Sequence, residues 1–150
     1  APQAVALWPR LIIVTVETTE LSLPSRIETV AEAAGAVAEF VTRSGVSEDA
    51  VFGIDMAVRE AVTNAVVHGN GQDEDKIVGI ILRCSPEAVE ISVHDQGPGF
   101  NPNEVPDPTA EENILKTSGR GIFFMRSFMD EVDWFLRPEG GTTVRMLKRR

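Results

Sequence analysis

Arg59-Glu60-Ala61-Val62-Thr63-Asn64-Ala65-Val66-Val67-His68-Gly69 is the stretch on which the fold turns. Side chains at intervals of four share one face of a helix, so Glu60, Asn64 and His68 align. Around them Val51, Ile54, Val58, Val62, Ala65 and Val66 recur at helical spacing, from an N-cap at Ser47 with Glu48 and Asp49 behind it to a stop at Gly69-Asn70-Gly71. A carboxylate one turn before a carboxamide suits a site in which Asn64 offers a neutral oxygen to Mg²⁺, an ion that keeps several waters and takes few protein ligands. Glu60 can then orient water or a hydroxyl. A solvated helix face carries the same pair, so its meaning depends on what surrounds it.

Upstream, Ser25 reads as an N-cap with Glu28 three residues on, and Ile27, Val30, Ala34, Val37, Phe40 and Val41 continue at helical spacing to Gly45. Before it, Leu11 to Glu17 is a β-branched run that predicts a first strand, closed by a polar turn over Thr18 to Pro24, and residues 1–9 form a tail. Downstream, Lys76 to Cys84 and Ala88 to His94 predict an antiparallel hairpin around Ser85-Pro86-Glu87. Residues 100–118, with Pro102, Pro106 and Pro108 and no periodicity, read as a lid. A helix over Ile122 to Met129 follows, then strands over Val132 to Arg137 and Thr142 to Leu147 around Pro138-Glu139-Gly140-Gly141. Strands and helices do not alternate, and the hairpins demand antiparallel pairs. The expected architecture is an α+β two-layer sandwich: a mixed, mainly antiparallel sheet of about five strands covered on one face by about three helices, in one domain over residues 10–150.

Composition narrows the function classes. At 150 residues with 43% hydrophobic content the chain suits one core, and no apolar run approaches the ~18–20 residues of a membrane span. A formal net charge of -9 argues against a duplex-binding surface, because phosphate-contacting proteins cluster Lys and Arg. An acidic chain instead suits a basic protein partner or serves solubility. One cysteine, Cys84, cannot form an internal disulfide, and no secretion signal pattern opens the chain. The expectation is a soluble cytoplasmic protein bound to neither membrane nor nucleic acid.

Two further segments can carry chemistry. The strand from Val89 to His94 ends directly in Asp95-Gln96-Gly97-Pro98-Gly99, where Asp95 can accept from an exocyclic amine such as that of adenine while Gly97 and Gly99 permit close backbone approach. An ordinary Asp-x-Gly turn has the same sequence. Ser118-Gly119-Arg120-Gly121 opens a helix, whose free N–H groups and positive end attract phosphate, and a hinge for the lid would use the same glycines. The spacing is neither that of a Walker loop, which needs Gly-Lys-Ser/Thr, nor that of the dinucleotide fingerprint.

Glu60-x-x-x-Asn64-Ala65, Asp95-x-Gly97-x-Gly99, Gly119-x-Gly121 and Gly141-Thr142-Thr143-Val144 resemble, in order, the N-box and glycine boxes of the Bergerat-fold ATPases, which include gyrase, the heat-shock chaperone, histidine kinases and mismatch-repair proteins. Glu60 to Ala65 with His68-Gly69, and Phe128-Met129-Asp130-Glu131-Val132, resemble one branch in particular, the small anti-sigma factor serine kinases of bacterial stress and sporulation switches. The likeness spans roughly residues 10–148.

The resemblance implies a set of roles. Asn64 would coordinate Mg²⁺, Glu60 would be the catalytic carboxylate, and Asp95 would bind the adenine amine of ATP. Gly97, Gly99, Gly119 and Gly121 would shape the pocket and phosphate loop, Thr142 or Thr143 would assist Asp95, and Lys116 and Arg120 would reach phosphate. Arg120 is a departure, since many relatives carry an apolar or small residue there. The implied function is an ATP-binding anti-sigma factor and serine-protein kinase that phosphorylates a serine on an antagonist (anti-anti-sigma) protein, sequesters a sigma factor and forms a homodimer, with Arg26 at a partner-contacting position. The alternatives are a non-catalytic nucleotide-gated binding module and the ATPase domain of a larger sensor kinase.

Overall fold

The computed structural model describes residues 5–6, 11–12, 16–98 and 117–150, with side chains for 16–98, 121 and 123–150. Val5–Ala6 (β1) and Leu11–Ile12 (β2) pair as a separate antiparallel ribbon. The main sheet comprises Glu17–Pro24 (β3), Ile77–Cys84 (β4), Ala88–His94 (β5), Glu131–Leu136 (β6) and Thr142–Arg149 (β7), in the spatial order β3-β4-β5-β7-β6. Every pairing in it is antiparallel, where the sequence left room for a mixed sheet. The helices are Glu28–Arg43 (α1), Glu48–Thr63 (α2), which runs on into a π-helical segment Asn64–Gly69, and Thr117–Phe128 (α3).

Period-two alternation builds the sheet's inner face. Val78, Ile80 and Leu82 of β4, Val89, Ile91 and Val93 of β5, and Met146 of β7 are buried, and the residues between them are partly or fully exposed. Against that face pack Val37 and Val41 of α1, Ile54, Val58 and Val62 of α2, and Met125 of α3. The opposite face carries charge: Arg145 bridges Glu90 at 3.0 Å and Asp133 at 3.2 Å across three strands. Helices therefore cover one face only, as the amphipathic patterns require.

Two local expectations are corrected. Of the strand expected over Leu11 to Glu17, Leu11–Ile12 is β2 and residues 13–15 lie outside the described residues; the first strand of the main sheet is Glu17–Pro24, so Thr18 to Pro24 is strand rather than turn, in register from Glu17 opposite Cys84 to Pro24 opposite Ile77. Its polar residues belong to the solvent side of an edge strand, with Leu21 and Leu23 alternating inward to pack on the core, and Pro24, which has no N–H to give, sits at its last position. Ser25 is not the N-cap of α1. Its hydroxyl instead donates to the Val66 carbonyl at 3.4 Å, the helix starts at Glu28 without a side-chain cap, and Ile27 stands 52% exposed outside the apolar stripe. Ser47 does cap α2, accepting from the Ala50 N–H at 3.3 Å. Among the described residues no helix is long and apolar enough to cross a membrane.

Candidate functional site

Asp95 follows β5 immediately and prolongs its ladder, with its N–H donating to the Thr142 carbonyl at 3.0 Å. Its carboxylate is buried and firmly held: Oδ1 accepts the N–H groups of Gly97 and Thr142, each at 3.1 Å. Burial pushes the Asp95 carboxyl above its ordinary range, and the two amides, then Arg137 and Lys76, pull the other way. Gly97 admits no side chain, because a Cβ there would run into the Gly69 carbonyl at the end of the π-helical segment. Backbone from the strand end thus lies directly on backbone from the helix end, and Gly69 also faces Asp95 Oδ2.

The π-helical turn explains how these two ends meet. Its widened ladder closes with Asn70 N–H on the Ala65 carbonyl at 2.8 Å. Asn70, buried at 3% exposure, then bonds both flanking strands: Nδ2 donates to the Ile77 carbonyl at 3.1 Å, and Oδ1 accepts from the Gln96 N–H at 2.7 Å. Gln96 Oε1 completes the loop by accepting from the Ile77 N–H at 2.7 Å. One asparagine therefore fixes the exit of the Glu60 helix against the strand end that carries Asp95.

Glu60 and Asn64, both half-buried, look toward the first turns of α3. A Cβ on Gly121 would meet Glu60 Oε1 and lie 3.1 Å from Asn64 Nδ2, so any larger residue there would make the Glu60 carboxylate turn aside. Among the described residues neither of these two side chains is tied up by a hydrogen bond. Burial lifts the Glu60 carboxyl above its ordinary range, opposed by the nearby charge of His68, which is itself exposed within the widened turn. One carboxylate and one carboxamide fit a Mg²⁺ shared with nucleotide phosphates rather than an all-protein cage, and among the described residues no group of three or more His, Cys, Asp or Glu could hold a metal.

The structure separates the two threonines that the sequence could not. Thr142 is buried at 2% exposure on the inner face beside Asp95, whereas Thr143 projects from the opposite face, its Oγ1 3.4 Å from His94 Nδ1. Successive strand residues point to opposite faces, so Thr143 stands away from the site. Gly119 and Arg120 lie in α3, but the Arg120 side chain, together with Gly99, Lys116 and the lid expected over 100–118 apart from Thr117 and Ser118, falls outside the described residues. Arg26 is exposed, 3.9 Å from Glu74. Sequence reasoning passed over Asn70 and Arg137. The first read only as part of a helix stop, and the second reaches Asp95 through the tertiary fold alone, its Nη1 donating to the Asp95 carbonyl at 3.3 Å.

A carboxylate at a strand end, a polar helix face and a glycine-opened helix on one side of an antiparallel sheet define a class. The chain belongs to the histidine kinase-like ATPase domain family, whose model matches residues 23–148. Within that class its curated relatives include the anti-sigma F factor of Anoxybacillus flavithermus, 35% identical over 114 residues that make up 75% of this chain and 78% of the relative. The anti-sigma F factor of Oceanobacillus iheyensis is 34% identical over 131 residues, 86% of this chain and 90% of the relative. Among solved structures, the RsbU and RsbW domains of a Mycobacterium tuberculosis protein share the fold at a TM-score of 0.66 and 19% identity, over 89% of this chain but only 32% of that longer one. The catalytic domain of the histidine kinase ThkA does so at 0.55 and 16%, over 89% and 97%.

Proposed function

We propose that the protein binds Mg-ATP between Asp95 and the Glu60–Asn64 face and transfers the γ-phosphoryl group to a serine of an antagonist protein, in a partner switch in which it also sequesters a sigma factor. The convergence of Glu60 and Asn64 on Gly121 is the observation that supports this reading most, since it sets two uncommitted polar side chains against the start of a helix, where phosphates are favoured. The anti-sigma F factors that are identical to it at about a third of the aligned positions support the partner class.

In this reading Asp95 Oδ2 accepts from the adenine amine, with Oδ1 already committed to Gly97 and Thr142. Asn64 would hold Mg²⁺, which supplies charge neutralisation at the phosphates when bound. Glu60 takes the proton of the attacking serine hydroxyl as its oxygen bonds to the γ-phosphorus and the bond to the β-phosphate oxygen breaks, releasing ADP. A Glu60 carboxyl lifted by burial is a better proton acceptor than an exposed glutamate. Gly99, Gly119, Lys116 and Arg120 complete the proposed phosphate surroundings, and a homodimer in the cytoplasm is the proposed assembly.

Incubation with labelled ATP and the cognate antagonist tests the reading. Label is expected on serine, and Glu60→Gln is expected to slow transfer by roughly 10²-fold or more while leaving nucleotide affinity nearly intact. Normal transfer by that variant would remove Glu60 from the mechanism. The wild-type rate is expected to fall as pH drops through the raised Glu60 range, because the protonated carboxyl cannot accept the serine proton.

A further inference from the structure

Arg137 directly follows β6 and opens the turn into β7. Its backbone frames that turn, with its N–H on the Gly141 carbonyl at 3.0 Å and its carbonyl accepting from the Gly140 N–H at 3.0 Å. Its side chain crosses to the neighbouring strand end, where Nη1 donates to the Asp95 carbonyl at 3.3 Å, while Nη2 is held by Glu139 Oε1 at 2.7 Å. Gly141, at φ +92, brings the main chain of the turn against the same Asp95 carbonyl, which a Cβ there would strike. The guanidinium, on a side chain 29% exposed, is thus braced by one carboxylate from its own turn and applied to the backbone of another segment.

We propose that Arg137 is a positioning residue for nucleotide recognition, clamping the main chain of Asp95 and supplying positive charge beside its carboxylate. The proposal rests on Asp95 being the adenine acceptor. Burial disfavours the ionised Asp95, and the charges that oppose this are those of Arg137 and Lys76. His94, the preceding residue, is held toward its neutral form by burial and by Arg137, so it adds little positive charge there. Glu139, by pairing with Arg137, tempers how much of its charge Asp95 feels. The β6–β7 turn thereby acts on the adenine end of the site through the main chain and charge at Asp95.

Calorimetric titration of the whole chain with MgADP between about pH 5 and 8 tests this, the nucleotide's own phosphate ionisation being common to all variants. Arg137→Gln is expected to bind roughly tenfold more weakly at neutral pH, as the loss of a charge-assisted hydrogen bond allows. The pH below which binding fails should also move upward, because Asp95 has lost a stabilising charge. Arg137→Lys should restore the pH profile in part, by returning the charge without the fork. Glu139→Gln should move the profile downward. An Arg137→Gln profile that overlays wild type, or one weakened equally at every pH, overturns the inference, the second outcome marking a merely structural arginine. Asp95→Asn separates the two layers. If that variant binds MgADP as wild type does, the Asp95 reading falls and takes this inference with it. If it loses binding while the Arg137→Gln profile is unchanged, the inference falls alone.

Discussion

Asp95 is a charged group kept where charge is costly. Its folded carboxyl titrates above its ordinary range, so the native state binds more protons than the unfolded chain between the two values, and wild-type stability falls as pH rises through that window. Asp95→Asn keeps an oxygen for the Gly97 and Thr142 amides and removes the charge. Thermal unfolding should therefore show the variant to be the more stable at neutral pH, with the difference shrinking below the ordinary carboxylate range, while adenine nucleotide binding is lost. A variant less stable at pH 7 would mean that the carboxylate is structural. Gly97→Ala is expected to destabilise at every pH, because the added carbon meets the Gly69 backbone rather than a side chain that can turn away. Denaturant unfolding at acid and neutral pH distinguishes the two effects.

Among the elements, the π-helical turn depends most on one side chain. Asn70→Ala removes two hydrogen bonds and leaves the Gln96 N–H and Ile77 carbonyl without their partner, a loss of about 1–3 kcal/mol in denaturant unfolding. A cost near zero would show that the junction holds without it. Ile91, fully buried on the central strand β5, should cost about 3–4 kcal/mol as Ile91→Ala by the same measurement. Both helices at the heart of the fold and the β4–β5 hairpin were legible in the sequence, because long amphipathic periods and a short Ser-Pro-Glu turn leave few other solutions. The edge strand of the main sheet was read as a turn since such a strand needs only Leu21 and Leu23 facing inward, and its polar residues look like a turn. The candidate residues Glu60, Asn64, Asp95 and Gly121 could be named from their type and spacing, and the fold brings Glu60 and Asn64 against Gly121. Arg137 lies 42 residues from Asp95 in the chain, and no local pattern encodes that meeting.

At the scale of the molecule, the site is assembled from four separate stretches of chain: α2 with its π-helical end, the exit of β5, the start of α3 and the β6–β7 turn. None is sufficient alone, and α3 joins the others through both of its ends. Near its beginning Gly121 lies over Glu60 and Asn64, and toward its end Arg126 sits above the Trp134 ring, 5.1 Å from the centroid. The Trp134 indole thus lies against the far end of the helix whose first turns face Glu60 and Asn64. With Trp8 replaced by Phe to leave one fluorophore, MgADP should change the intensity or wavelength of that emission, and Arg126→Ala should blunt the change while leaving affinity nearly untouched. Such a change would give the chain its own optical gauge of whether nucleotide has arrived.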